Sequence, residues 1–321
     1  MLSQPVEASF LTLTLTLTLT SPSPLTLTST LALTSPSTSM SKENQPTYLI
    51  SSKQSVFSLN LKEVWDYRDL LLMLVKKDFI TFYKQTVLGP LWFIVQPLLT
   101  TVIYMILFGN IAKLSTDGVP QVLFYLSGIT VWNYFSESLT KTSSVFTANA
   151  GMFGKVYFPR LIMPLSIVAS SLMKFAVQFG IFAVVLLYFV IFTDEVHPNI
   201  WMLFTPVLIL LMAMFALGMG MIFSSLTTKY KDLTFLLTFG IQLFMYITPV
   251  VYPISALPEK FRFLVYMNPL SSIFECFRYA FLGSGSFDLM SILWSSIFIT
   301  FILVIGTVIF NKVEKSFMDT V

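Results

Sequence analysis

The chain of 321 residues is 55% hydrophobic and only 11% charged, with a mean hydropathy of +0.79; no water-soluble core could enclose that much apolar surface, which excludes an ordinary soluble domain. A formal net charge of +3 thinly spread along the chain gives no reason to expect a nucleic-acid partner. Cys276 is the only cysteine and His197 the only histidine, so an internal disulfide is impossible and a metal site of the usual His or Cys type is not expected within one copy.

Residues 1–39 are low-complexity: a Leu-Thr alternation runs from Leu11, followed by Ser-Pro-Ser-Pro and a second Leu-Thr tract, with Glu7 the only charge before Met40. The tract lacks the basic n-region of a secretory signal, and Ser/Thr/Pro bias of this kind is expected to be disordered. Met40 is the expected natural start, and 40–60 a cytoplasmic tail. In 61–87, Lys62, Asp66, Asp69, Lys76, Lys77 and Lys84 recur at spacings of three, four and seven, while Trp65, Leu70, Leu71, Leu74, Val75, Phe79 and Phe82 fill much of the rest. That pattern predicts an amphipathic helix lying on a membrane surface with its lysines toward lipid phosphates. A first helix packed on protein is the alternative.

A bilayer core about 30 Å thick needs about 20 apolar residues per crossing. Runs of that size recur six times, near 88–111, 120–140, 162–192, 200–226, 233–252 and 287–310. The predicted fold is therefore all-α: six transmembrane helices in a domain over 88–321, preceded by the interfacial helix. With a cytoplasmic N-terminus, the inner segments carry Lys76, Lys77, Lys84, Lys155, Arg160, Lys229, Lys231, Lys312 and Lys315. The outer loops carry Lys113 and, in a longer Pro-rich stretch, Lys260, Arg262 and Arg278. This bias predicts a multi-pass protein with both termini in the cytoplasm.

The stretch over 253–282 is too interrupted, at Pro253, Pro258 and Pro269, and too charged for a lipid-facing span. Backbone of that kind is tolerated at membrane depth only against protein or water, which predicts a re-entrant hairpin: one helix over 257–266, a break at Asn268-Pro269 and a second helix over 271–282. Leu270, Ile273, Phe274, Phe277 and Phe281 form an apolar helical stripe beside Glu275 and Arg278. A loop lying flat on the outer surface is the alternative.

Ionisable groups inside spans are costly and mark candidate pathways. Glu137 and Lys141 are four apart, on one helical face, and Lys174 lies well inside the third span; interfacial placement or snorkelling is the plainer reading. With Ser127, Thr130, Asn133, Ser138 and Thr142, the second span is the one expected at a pore or a helix interface. Ala216, Gly220 and Ser224, with Gly218 close by, form a small-residue face for helix packing. Of the 32 Phe, 13 Tyr and 5 Trp, most belong to membrane belts and packing. Trp132, Tyr134, Phe135, Tyr246 and Tyr252 are candidates to line a conduit, where flat rings suit sugar faces or lipid chains.

Catalytic constellations are missing. Gly151 to Lys155 has a Gly-Lys step but neither the glycine spacing nor the following hydroxyl of a phosphate-binding loop, and no zinc-protease or nucleophile-elbow motif occurs. The chain is expected not to be an enzyme, and energy for any work must come from a partner or an ion gradient.

The segments Phe79-Ile-Thr-Phe-Tyr-Lys-Gln, Leu88-Gly-Pro-Leu-Trp, Gln96-Pro, Lys155-Val-Tyr-Phe-Pro-Arg160, Met163-Pro, Lys229-Tyr-Lys-Asp232, Thr248-Pro-Val-Val-Tyr-Pro253 and Asn268-Pro-Leu, in that order, resemble the type-2 ABC exporter permeases. Within these the chain is most similar to the Wzm/TagG-like subunits that export lipid-linked polysaccharide such as O-antigen, capsule or teichoic acid. The resemblance covers about 61–321. It implies a bacterial inner-membrane homodimer working with a pair of separate ATPase subunits, which would bind ATP and Mg so that this chain holds no cofactor, and a polyprenyl-diphosphate-linked glycan as substrate among the membrane lipids. It places Gly154, Lys155, Tyr157, Phe158, Pro159 and Arg160 at a cytoplasmic coupling helix, and Lys229, Tyr230, Lys231 and Asp232 at a second cytoplasmic contact. Short basic inner loops beside helix breaks suit such a role, although Lys155 and Arg160 equally serve as topology markers. Lys84, Lys155 and Arg160 are candidates for meeting a lipid pyrophosphate. Trp132, Tyr134, Glu137, Lys141, Lys174, Tyr246 and Tyr252 are the expected conduit, and Pro253, Asn268, Pro269, Glu275 and Arg278 the re-entrant set. A drug or small-lipid exporter of the same superfamily and a membrane-embedded acyl- or glycosyltransferase remain as alternatives; an ion channel is disfavoured by the lack of a filter-like repeat.

Overall fold

The computed structural model describes residues 61–85, 89–153, 158–193 and 195–318, and among these every regular element is helical. The segment expected at the membrane surface forms α1 (Leu61–Asp66) and α2 (Arg68–Gln85), separated by a turn at Tyr67. Leu74 is buried while Trp65, Leu72 and Met73 are exposed, so one apolar side of this segment packs on protein and another stays open. A 3-10 turn at Gly89–Leu91 leads into α3 (Trp92–Tyr104), which continues as a π-helix over Met105–Ile111. Next come α4 (Gln121–Ser143), the short α5 (Val145–Ala148) and α6 (Ala150–Phe153), and the long α7 (Ile162–Phe192). A 3-10 turn, Ile200–Phe204, runs straight into α8 (Thr205–Lys229), followed by α9 (Leu233–Ile247), α10 (Glu259–Met267), α11 (Pro269–Leu282) and α12 (Leu289–Met318).

Four helical stretches among the described residues are long and apolar enough to cross a bilayer: Trp92–Ile111, Ile162–Phe192, Ile200–Lys229 and Leu289–Val313. The other two expected spans have a different character. The 23 residues of α4 reach about 34 Å, but hydroxyl and amide side chains dilute their apolarity. The 15 residues of α9 reach only about 22 Å, because the helix stops before the prolines of 248–253.

Polar groups facing lipid would lie in hydrocarbon, and α4 keeps its own away from it by sitting among other helices. It packs against α3, α7, α8, α9 and α11, and Ser127, Thr130, Ser138 and Thr142 are all fully enclosed. Lipid tails are as apolar as leucine, so helix association here depends on close fit more than on hydrophobic burial. A Cβ placed on Gly220 would lie 2.5 Å from Thr142 Cβ of α4, and one on Gly218 would lie 2.8 Å from Leu303 Cα of α12. The small-residue face of α8 thus serves two neighbours.

The break between α10 and α11 falls at Asn268, next to the expected Asn268-Pro269 step. Asn268 Oδ1 accepts from the Leu270 amide at 3.0 Å, and Pro269, which has no amide to orphan, opens α11. Gly283 closes α11 with φ of 71°, a left-handed cap that glycine adopts without penalty. Of the 14 residues of α11, 12 are buried, so it is an interior helix. Phe277 and Phe281 meet Phe182 of α7 at 5.7 and 5.5 Å between ring centroids.

Candidate functional site

Three features converge on the functional question, and each is set by helix geometry. The first is a charge cluster between α4 and α7. Glu137 and Lys141 are one turn apart on α4, and Lys141 Nζ donates to Glu137 Oε1 at 2.8 Å. Lys174, one helix away on α7, donates to the same oxygen, and its ammonium stands 5.0 Å from the centroid of the Phe93 ring on α3. Three helices are thereby tied at one level. Asn133 and Gln178, one turn further along each helix, meet at 3.4 Å. Ser138, Thr142, Ser170 and Ser171 contribute buried hydroxyl oxygens with no hydrogen-bond partner among the described residues. Hydroxyls left so are costly in an apolar interior, and they make this part of the molecule's interior polar.

The second feature is the non-helical connection between α9 and α10. Its carbonyls have no helical partner, and Arg278 supplies one: Nη2 donates to the Val250 carbonyl at 2.6 Å and Nη1 to that of Tyr252 at 3.4 Å. The guanidinium also lies 3.8 Å from the Phe124 ring centroid, and the side chain is completely enclosed. Gly128 of α4 makes the room, since a Cβ there would stand 2.5 Å from the Val250 oxygen. Asn268 reinforces the same connection, donating from Nδ2 to Thr248 Oγ1 at 2.8 Å. Glu275, one turn before Arg278, accepts from the Ser286 amide at 3.3 Å. Pro253 is the N-cap of a 3-10 turn over Ile254–Ala256. The sequence places Arg278 among the outer-segment charges and in the re-entrant set; its part as a clamp on broken backbone comes from the structure. The available signal was an arginine on an apolar helical stripe that follows prolines stripping the preceding segment of helical bonds.

The third feature is at the ends of α5, α7, α8 and α12. Phe158 is buried in a cluster with Leu74, Phe146, Ile162, Met221 and Phe310, and Phe146 stacks on Phe310 at 4.5 Å. Arg160 is buried and Pro159 half-buried. Beyond α8, Lys229, Tyr230, Lys231 and Asp232 are all exposed, with Lys229 Nζ 5.3 Å from the Tyr230 ring centroid. Gly154, Lys155 and Tyr157 lie outside the described residues.

The expected conduit residues do not all meet. Glu137, Lys141 and Lys174 form one cluster. Trp132 packs instead on Phe135 and Phe244, with centroids at 5.6 and 6.2 Å, and Tyr134 on Phe175 at 5.3 Å. Tyr246 is exposed on α9, and the Tyr252 hydroxyl donates to its carbonyl at 3.0 Å. Among the described residues no group of three or more His, Cys, Asp or Glu could hold a metal ion.

Helices of membrane-crossing length around a hydroxyl-rich central helix, with charges paired between helices, define a multi-pass membrane protein with a polar interior. The chain belongs to the ABC-2 type transporter family, whose model matches residues 69–282. It is 32% identical over 254 residues to the O-antigen export system permease protein RfbA of Klebsiella pneumoniae, covering 78% of this chain and 94% of that one. It is 25% identical over 223 residues to the protein of the same name from Myxococcus xanthus, covering 69% and 83%. The polysialic acid transport protein KpsM of Escherichia coli is 22% identical over 241 residues, covering 73% and 89%.

Proposed function

We propose that the chain is the membrane permease of an ABC exporter that moves a lipid-linked polysaccharide, of O-antigen, capsule or teichoic acid type, across the bacterial inner membrane. The similarity to the Klebsiella O-antigen export permease, which extends over 94% of that protein, carries this reading. Two copies form the passage and two separate ATPase subunits, holding ATP and Mg, drive it. Six crossings, counting α4 and α9, put both termini in the cytoplasm, with α1 and α2 along the inner surface and α10 and α11 as a re-entrant pair. The burial of α11 and the Arg278 clamp support the last point, since broken backbone at membrane depth needs protein donors. Phe158, anchored in the buried cluster, with Pro159 and Arg160 next to it, and the exposed Lys229 to Asp232 loop receive the push of the ATPases. Glu137, Lys141 and Lys174 line the polar side of the path.

The test is complementation of a strain deleted for this gene and labelled for surface polysaccharide. The wild-type chain restores surface polymer. Asp substitution of both Lys229 and Lys231 leaves the chain folded in the membrane but lowers export at least tenfold by weakening the ATPase contact, as expected of charge reversal at a polar interface. Full export by a strain lacking the gene would refute the reading.

A further inference from the structure

We propose that the cluster where α2 meets α3, α4 and α7 binds the head-group phosphate of an anionic membrane lipid, with Lys141, Lys174 and the Ser170 hydroxyl as its ligands. Two neighbouring cavities open there, of about 210 and 280 Å³, and Asp78 and Lys141 border both. Ser170 and Lys174 border the smaller one and Lys77 the larger. Ser170 is only 7% exposed, and its hydroxyl has no hydrogen-bond partner among the described residues, so an anion that reached it would satisfy a buried donor. Lys141 carries three N–H donors, of which Glu137 takes one, and its side chain remains 40% exposed.

Charge points the same way. Among the described residues at the two cavities or paired there are three lysines, Lys77, Lys141 and Lys174, and two carboxylates, Asp78 and Glu137, an excess of one positive charge that a phosphate monoanion neutralises. One carboxylate oxygen of Glu137 serves both Lys141 and Lys174, so Glu137 holds the ammonium groups in place and competes with the anion for them. Phe79 and Phe93 form apolar walls of the smaller cavity, fitting the first carbons of a lipid chain. The site lies where a surface-lying α2 puts it at head-group depth, and that placement is taken from the reading above; the rest is local geometry.

The full chain in phosphatidylcholine nanodiscs is titrated with a polyprenyl diphosphate, with phosphatidylglycerol and with uncharged polyprenol, and binding is read by native mass spectrometry. Both anionic lipids bind and polyprenol does not compete. Lys141→Gln weakens binding about tenfold, the loss of one charge-assisted hydrogen bond; Ser170→Ala weakens it severalfold, and Glu137→Gln tightens it by removing the competing carboxylate. A diphosphate at least tenfold tighter than phosphatidylglycerol assigns the site to a carrier lipid, and equal affinities assign it to bulk anionic lipid. Affinity unchanged in Lys141→Gln and Ser170→Ala, or the Gln substitutions at 137 and 141 shifting affinity in the same direction, overturns the proposal. Because the readout is binding, its failure leaves the export reading standing.

Discussion

Arg278 carries more of the local architecture than any other single side chain. Its two terminal nitrogens satisfy carbonyls of a segment that prolines keep from becoming helix, and its charge is compensated by the face of Phe124 and by nearby Glu275. Replacing it with Gln removes the charge and leaves buried carbonyls short of donors, a cost of about 3 kcal/mol, measured as a lowered thermal unfolding temperature in detergent. Lysine should recover less than half, because a point charge cannot span two carbonyls as a planar fork does. Gly128→Ala should be nearly as damaging as Arg278→Gln, since its methyl group meets the clamped Val250 oxygen at 2.5 Å. At the other cluster, a double-mutant cycle of Glu137→Gln with Lys174→Met should give a coupling of about 1 kcal/mol or more; additivity would remove the claim that this pair ties α4 to α7. The Glu137–Lys141 pair is legible in the sequence because a spacing of four is one turn. The Lys174 contact is not, because 37 residues separate it from Glu137 and only the packing of α4 on α7 brings the two together.

At the scale of elements, the contact of α8 with α12 is the most extensive helix pairing, and glycine permits it. A methyl at Gly218 meets backbone at Leu303, not a side chain that could swing aside, so Gly218→Ala should cost about 1–3 kcal/mol by overpacking, read from unfolding in detergent or from loss of membrane-inserted protein. Gly240, where nothing lies within 4 Å of an added Cβ, should accept the same change with little effect. The same scale shows what periodicity conveys. The long third span, expected over 162–192, coincides with α7 because apolar length alone defines it. The helix of the expected fifth span, read to 252, is α9 and ends at Ile247, because hydropathy does not register that Thr248 and the prolines after it end a helix that their apolar neighbours would otherwise extend. The helix of the expected second span, α4, looks weakest by apolarity, yet 16 of its 23 residues are buried because α3, α7, α8, α9 and α11 pack on it; burial by other helices leaves no mark on a single sequence. Likewise residue type alone suggests Trp132 and Tyr134 as lining, and only tertiary packing shows their rings against Phe135, Phe244 and Phe175.

At the scale of the whole molecule, the ABC-2 family membership and the apolar helices make this chain a membrane transport component, and the proposed export of lipid-linked polysaccharide requires a source of energy outside it. Its exposed apolar residues, such as Phe235, Leu236 and Phe239 on α9 and Leu99, Val102 and Ile103 on α3, stay uncovered within the chain, and the basic loop after α8 is exposed. The most direct test uses proteoliposomes containing the purified chain and a polyprenyl-diphosphate-linked glycan, with and without the partner ATPase, and follows ATP-dependent passage of the glycan to the protected side. The account predicts no nucleotide turnover and no passage with the chain alone, and passage that requires both subunits and hydrolysable ATP. Nucleotide hydrolysis by the chain alone, or passage of the glycan with no ATPase present, would contradict it.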